Sequence, residues 1–221
     1  MKRIVYIILT TILVILGQAK TLQAAVVVYD NSANDLNTRF NTGLSEVGDE
    51  IILDGGATTI TKFVIQYWGL NFSGDETMQV RIYKNDGADW DAVYKLPGTK
   101  IFDSGAFTIG STTRSTLTFD SDFGAGLDVP GRFTWTVQYS GINAGAGESA
   151  GLDLYSPPTV GSNFSDYWVN SSPWELRTSP GTSMDFAATI QAVPEPSQYF
   201  VVFGIMCMAC ISRRWRKAGN V

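Results

Sequence analysis

Apolar and polar side chains alternate with a period of two residues through most of residues 25–190. The clearest example is residues 132–139, where four apolar side chains fall on one side of the chain: Phe133, Trp135, Val137 and Tyr139. This is the period of a β-strand with one buried face. We find no 3.6-residue apolar stripe between the two ends of the chain, so the pattern predicts an all-β domain.

The alternation predicts ten short strands separated by turns rich in Gly, Asp, Asn and Pro. They cover residues 26–29, 50–53, 63–68, 77–84, 100–103, 115–119, 132–139, 152–155, 166–169 and 184–190. Short strands with this punctuation are typical of an antiparallel β-sandwich, here of a jelly-roll-like kind. Residues 141–151, rich in Gly and Ala, are predicted to form a mobile surface loop.

The charges are unevenly distributed along the 221 residues. Residues 25–195 hold all 21 acidic residues but only nine of the 16 basic ones, a net charge of −12 for that segment. So acidic a surface disfavours nucleic acid and anionic lipid as partners. The chain has no histidine, which removes the commonest general base and the commonest transition-metal ligand. Both cysteines lie near the C-terminus, so the predicted domain must be stable without disulfides.

The N-terminal segment has the layout of a secretory signal peptide. Lys2 and Arg3 precede 13 apolar or threonine residues, 4–16, and a polar stretch then leads to Ala24 and Ala25. The apolar run is shorter than the roughly 20 residues that span a bilayer. We therefore expect residues 1–25 to be removed by signal peptidase rather than kept as an anchor.

The C-terminal segment combines a proline-flanked glutamate, a short apolar run and a basic end. Pro194, Glu195 and Pro196 precede the 13 apolar or small residues 199–211, and Arg213, Arg214 and Arg216 follow them. The two prolines keep the backbone extended and accessible. The basic cluster favours the cytoplasmic side of a membrane, which would leave the domain and the proline-flanked glutamate outside.

Taken in this order, the elements of residues 193–220 resemble the PEP-CTERM sorting signal of Gram-negative bacteria. The resemblance implies that exosortase, a membrane peptidase, recognises Pro194, Glu195 and Pro196 as part of a substrate. The arginines would hold the C-terminal helix in the inner membrane until cleavage. The predicted organisation is a signal peptide (1–25), a β domain (26–192) and a sorting and anchoring segment (193–221). The β domain itself is similar to extracellular domains that precede such tails, which supports the fold and assigns no activity.

Cys207 and Cys210 form a CxxC pair within the apolar run. Such a pair can serve redox chemistry or, when two pairs are present, bind zinc. In an apolar segment the two residues are more simply small helix residues. Lipidation or a redox role is the alternative.

Two segments of the domain are candidates for ligand binding. Asn85, Asp86, Asp89 and Asp91 surround a glycine turn and could supply oxygen ligands to calcium, although the closing glutamate of a full calcium loop is absent. The alternative is an ordinary turn built from good turn residues. Tyr167, Trp168 and Trp174 are aromatic residues that the alternation does not clearly bury, and exposed rings can stack on sugars.

Catalysis finds little support in the residue pattern. Five glutamates could in principle form a glycosidase pair: Glu46, Glu50, Glu76, Glu148 and Glu175. None lies in a recognisable motif, and scattered glutamates of an exported domain normally solvate its surface. The expectation is a non-catalytic protein without a cofactor, located at the cell surface or in the extracellular matrix. The alternative is an adhesion module that binds carbohydrate or calcium and contacts exopolysaccharide.

Overall fold

The structure, a computed structural model, describes residues 24–194. The predicted cleavable segment up to residue 23, the predicted C-terminal helix and the CxxC pair lie outside the described residues, as do Glu195, Pro196, Arg213, Arg214 and Arg216. Residues Ala25–Glu195 form one compact unit. Within the described part of the chain, no helix is long and apolar enough to cross a membrane.

Fifteen strands and two short 3-10 turns make up the described chain. The strands are β1 (Val26–Asn31), β2 (Asp35–Asn41), β3 (Glu46–Ile52), β4 (Thr59–Leu70), β5 (Thr77–Lys84), β6 (Lys100–Asp103), β7 (Phe107–Thr108), β8 (Thr112–Phe119), β9 (Leu127–Asp128), β10 (Arg132–Ser140), β11 (Ser149–Tyr155), β12 (Ser162–Asn163), β13 (Asp166–Asn170), β14 (Trp174–Thr178) and β15 (Ala188–Val193). The 3-10 turns are Ser121–Phe123 and Ala144–Ala146. The all-β prediction is confirmed for these residues.

The strands form two antiparallel sheets. Sheet A has the order β1-β15-β4-β11-β2, in which β15 and β11 share one edge of β4 while β8 and β9 pair with its other edge. Sheet B has the order β14-β13-β3-β10-β5-β6, with β12 beside β3 and β7 beside β5. The chain changes sheet repeatedly, so most neighbours within a sheet are distant in sequence.

The hydrophobic core lies between the two sheets. The predicted inward side of β10 is confirmed, because Phe133, Trp135, Val137 and Tyr139 are at most 1% exposed. The Trp135 ring of sheet B meets the Phe63 ring of sheet A edge to face, with centroids 5.3 Å apart. Aromatic contacts of this kind add to the stabilisation that comes from burying apolar area. Strand β10 is central in sheet B, flanked by β3 and β5.

Two predictions about local structure were wrong. Strands β2 and β14 were not expected, because β2 is largely polar and β14 is only five residues long with two apolar residues. Residues 141–151 do not form one loop, since β11 starts at Ser149 and Ala150 packs in the core. Small residues suit this strand because a Cβ on Gly151 would lie 1.8 Å from the carbonyl oxygen of Phe40 on β2.

Candidate ligand-binding face

The outer side of sheet B carries an unusual number of buried polar groups. Val47 and Ile51 of β3 join the core, so Glu46 and Glu50 lie on the opposite, outer side of the strand. Glu50 is nevertheless only 1% exposed, because residues 85–98 and strands β13 and β14 surround this side. We call this surface the sheet B face.

Glu46 of β3 contacts side chains from three other strands and so links four adjacent strands of sheet B. Its Oε1 accepts hydrogen bonds from the Thr136 hydroxyl at 2.7 Å and the Tyr83 hydroxyl at 2.9 Å. Its Oε2 accepts from the Asn170 amide at 3.0 Å and pairs with the Arg81 guanidinium at 3.1 Å. The donors come from β13 and β10, which flank β3, and from β5, which lies beyond β10. A buried carboxylate is stable only when donors and charge compensate it, and here both do.

Glu50 forms a second anchored carboxylate two positions beyond Gly48 along the same side of β3. It accepts a hydrogen bond from Arg132 Nε and another from Trp168 Nε1 at 3.0 Å. The Arg132 guanidinium in turn lies 4.7 Å from the centroid of the Phe164 ring. Because both glutamates are held by fixed donors, neither is placed as a free general base.

A third carboxylate, Asp166, contacts the segment that covers the face. Tyr94 donates a hydrogen bond to Asp166 Oδ2 at 2.6 Å. Burial raises the pKa of Asp166 above its usual value, against the opposing effect of the Tyr94 hydrogen bond. Burial, and then the adjacent carboxylate, raises the pKa of the Tyr94 hydroxyl, so it remains a hydrogen-bond donor at neutral pH. This contact fixes residues 85–98 onto β13.

Two aromatic pairs border the face. The Trp90 ring is 46% exposed and meets the buried Trp168 ring at right angles, with centroids 6.0 Å apart. The half-buried Trp174 ring meets Tyr83 in the same manner at 5.5 Å. Trp168 lies opposite Leu176 in the β13–β14 register, which makes Trp174 its diagonal neighbour on the same side. Aromatic surface and anchored polar groups therefore adjoin on one face, a combination that can bind sugars.

The three aromatic residues predicted to bind carbohydrate do not form one exposed row. Trp168 is fully buried and its indole nitrogen is engaged by Glu50, so its ring offers no free surface. Tyr167 points to the opposite side of β13, where it packs against Phe40 with ring centroids 5.0 Å apart. Trp174 is the one of the three on the sheet B face with part of its ring accessible. Trp90, which was not among the three, is the more exposed ring.

The residues predicted to bind calcium are engaged in local structure. Asn85 Oδ1 accepts from the Thr134 hydroxyl, and Asp86 Oδ1 accepts from the backbone of residue 99. Asp91 Oδ1 accepts two backbone N–H groups, from residues 93 and 94, while Asp89 pairs with Lys95. Across residues 24–194, no group of three or more His, Cys, Asp or Glu side chains is arranged to hold a metal ion. In the structure these four residues take part in local hydrogen bonds and an ion pair, and calcium binding by them stays a prediction.

The predicted exposure of the glutamates was wrong for most of them. Four of the five were expected on the surface but are buried, namely Glu46, Glu50, Glu76 and Glu148. A usable signal was the spacing of Glu46, Gly48 and Glu50, which places them on one side of a strand. The predicted strand began at residue 50, so it did not include Glu46 and Gly48.

Comparison of the chain with protein-family models, with curated proteins and with solved structures finds no significant match.

Proposed function

We propose that this chain is a non-catalytic exported protein that exosortase processes at its C-terminal tail. Signal peptidase would remove the leader, the inner membrane would hold the tail transiently, and the β domain would end at the cell surface or in the extracellular matrix. The observation that carries the proposal is the junction between domain and tail. Strand β15 ends at Val193, directly before Pro194, so the domain is complete where the predicted sorting motif begins.

We also propose that the domain is a jelly-roll-like sandwich. Eight of its strands support this through their order, β1-β15-β4-β8 in sheet A and β3-β10-β5-β6 in sheet B. Successive members of this set alternate between the sheets, except that β5 and β6 both lie in sheet B, in the manner of two interlocked Greek keys. Strands β11, β13 and β14 lie in the chain between β10 and β15, the last two strands of this set, and are additions to the jelly-roll pattern. Strands β13 and β14 extend sheet B and form the aromatic edge of the sheet B face.

A non-catalytic role agrees with the chemistry of the buried carboxylates. Glu46 and Glu50 each accept hydrogen bonds from at least two fixed donors, and one of these is an arginine in each case. Their oxygen atoms are held in place by these contacts, whereas a glycosidase needs one carboxyl group that is free to donate its proton to the substrate.

Tail processing is tested by mass spectrometry of the full chain expressed in a Gram-negative host with and without an exosortase. The expected product in the exosortase host ends near Pro194, Glu195 and Pro196. A variant with Glu195→Ala should keep its full C-terminus, and Glu175→Ala should be processed normally. Recovery of surface protein that still contains Arg213 would contradict the proposal.

A second candidate function is carbohydrate binding, and the exposed Trp90 ring beside the sheet B face favours it. The ligand would be an exopolysaccharide whose sugar rings stack on Trp90 and Trp174. Binding of the full chain to a glycan array should fall at least tenfold in Trp90→Ala and Trp174→Ala, while Leu70→Ala, an exposed apolar residue of sheet A, serves as the control. Equal binding by all three variants would exclude this face as the sugar site.

A further inference from the structure

Four buried oxygen-bearing side chains in the interior have oxygen atoms without a hydrogen-bond partner among the described residues. They are Tyr29 Oη, Asn31 Oδ1, Asp49 Oδ1 and Asp185 Oδ1. All four side chains belong to residues that are at most 3% exposed. Buried polar atoms are normally paired, and those that are not indicate an ion or water that completes them.

The strand register brings these side chains together between the two sheets. Tyr29 and Asn31 lie opposite Ile190 and Ala188 of β15, two core residues, and so point inward from sheet A. Asp49 shares the inward side of β3 with Val47 and Ile51, and it lies opposite the core residue Trp135 of β10. We call Tyr29, Asn31, Asp49 and Asp185 the inner oxygen cluster.

Hydrogen bonds place the members of this cluster around the same short segment of chain. The backbone N–H of Phe186 donates to Asp49 Oδ2 at 3.3 Å, which puts Asp185 beside Asp49. The Asn31 amide donates to the carbonyl oxygen of Phe186 at 3.2 Å. Asn163 donates to Asp49 Oδ2 at 3.3 Å and also acts on the Asp185 carboxyl group.

The two carboxyl groups lack a compensating cationic side chain. Within residues 24–194, the ion pairs formed by Lys and Arg do not include Asp49 or Asp185. Burial, and then the charge of Asp185, raises the pKa of Asp49 well above its usual value. Burial contributes most to raising the pKa of the Tyr29 hydroxyl, and the charges of Asp49 and Asp185 raise it further. This unpartnered hydroxyl group therefore lies close to both carboxylates. Two adjacent buried carboxylates without a cation are strongly unfavourable.

We propose that the inner oxygen cluster binds one Ca²⁺ ion between the two sheets. Asp49 and Asp185 would supply charged oxygens, and the Asn31 amide and the Tyr29 hydroxyl would supply neutral ones. Calcium accepts six to eight oxygen ligands in mixed and irregular arrangements, and it takes carboxylate, amide and water oxygens together. A donor set made only of oxygen does not favour zinc or copper. The site is separate from residues 85–91 and does not depend on how the protein is exported.

A covering segment, residues 159–163, closes the interior over this cluster. The backbone N–H of Thr159 donates to the carbonyl oxygen of Asp30 at 2.7 Å, and Asn163 reaches Asp49. Gly161 has a φ of +73°, and a Cβ there would lie 2.9 Å from the Tyr29 ring. A hollow of about 450 Å³ borders this segment, lined by residues 52–54 and 159–162.

The binding test uses the full chain, purified in mild detergent and stripped with EGTA. Isothermal titration should show one Ca²⁺ per chain, and Tb³⁺ bound in its place should emit when the tyrosines and tryptophans are excited. At a Ca²⁺ concentration roughly 100 times the Kd, the Tm should rise by about 5–10 °C. Asp49→Asn should weaken binding at least tenfold, and Tyr29→Phe, which keeps the ring, should weaken it less.

The matched control is the Asp89→Asn, Asp91→Asn double variant, which should bind Ca²⁺ as the parent does. Loss of binding in this control, with binding kept in Asp49→Asn, would overturn the proposal in favour of the 85–91 segment. If the parent binds no Ca²⁺ or Tb³⁺ and Asp49→Asn raises its Tm, the two carboxyl groups share a proton and the cluster is not a cation site. If Asp49→Asn does not fold, Tyr29→Phe provides the test. A Ca²⁺ Kd and a Tb³⁺ emission equal to those of the parent would show that Tyr29 is not a ligand and would contradict the proposed site.

Discussion

Replacing Glu46 by alanine should destabilise the domain more than removal of any exposed carboxylate. The change removes the acceptor of Tyr83, Thr136 and Asn170, and it leaves Arg81 with Asp103, at 3.5 Å, as its remaining carboxylate partner. The side chains of Arg81 and Glu46 are only 13% and 7% exposed, so water cannot readily replace the lost contacts. Removing one partner of a buried ion pair costs about 3–5 kcal/mol.

Urea and thermal unfolding of the full chain measure this loss. For a domain of this size, about 3–5 kcal/mol corresponds to a Tm lower by about 6–20 °C. The control is Glu175→Ala, because Glu175 pairs with Arg177 at 2.7 Å while both side chains are nearly half exposed. An exposed pair of this kind contributes about 0–1 kcal/mol. If the two variants lose the same stability, Glu46 does not tie the four strands together and the description of the sheet B face is wrong.

Two further predictions concern a glycine and a titrating carboxylate. Gly161 and Gly55 both have a φ of +73°, but only at Gly161 would a Cβ meet backbone, 2.6 Å from the Ile52 carbonyl oxygen. Gly161→Ala should therefore destabilise the protein by about 1–3 kcal/mol more than Gly55→Ala in urea unfolding. Equal losses of stability in the two variants would show that the covering segment can shift to accommodate a Cβ at position 161. Burial raises the pKa of Asp103, but hydrogen bonds from Lys100 and Gln79 outweigh it and lower the pKa below its ordinary 3.8. This stabilisation is present above pH 4 and is lost as the pH falls below it, so Asp103→Asn should lose less stability than the parent between pH 4 and pH 2.

The strands that could be predicted are those whose two sides differ in polarity. Strands β5 and β6 have the predicted bounds, and β10 differs by one residue at its end. Alternation is informative there because one side meets the core and the other is polar. Strand β14 has only five residues, with Trp174 and Leu176 on one side and Glu175 and Arg177 on the other, so its alternation is too short to be distinctive. It pairs with β13 across residues 171–173 and forms the edge of sheet B.

The candidate face shows both what residue patterns can predict and where they stop. Tyr167 and Trp168 are consecutive on one strand and must point to opposite sides, so they could never have formed one platform. The sequence alone was sufficient to exclude that pair. By contrast, the burial of Glu50 follows from residues 85–98 folding over sheet B, which depends on contacts such as Tyr94 to Asp166. Residue patterns do not report such tertiary contacts.

The buried acids also change the argument from net charge. Among the 20 acidic residues of the described segment 24–194, eight are buried: Glu46, Asp49, Glu50, Glu76, Glu148, Asp153, Asp166 and Asp185. The acidic surface is therefore smaller than the composition indicates, and the case against anionic partners rests on the remaining exposed carboxylates. The buried ones instead bind arginines, backbone N–H groups and hydroxyl groups that fix the geometry of both sheets.

A domain without cysteines must resist unfolding through its core and through polar links that join distant strands. Glu46 connects four strands within sheet B, and the inner oxygen cluster lies where β1 of sheet A faces β3 of sheet B. Residues 24–194 contain no cysteine, so reducing agents should leave the unfolding midpoint unchanged. If Ca²⁺ joins the two sheets, EGTA should lower that midpoint in the parent and have no effect in Asp49→Asn. The same chelator effect in both proteins would show that calcium acts elsewhere and that the core alone holds the sheets together.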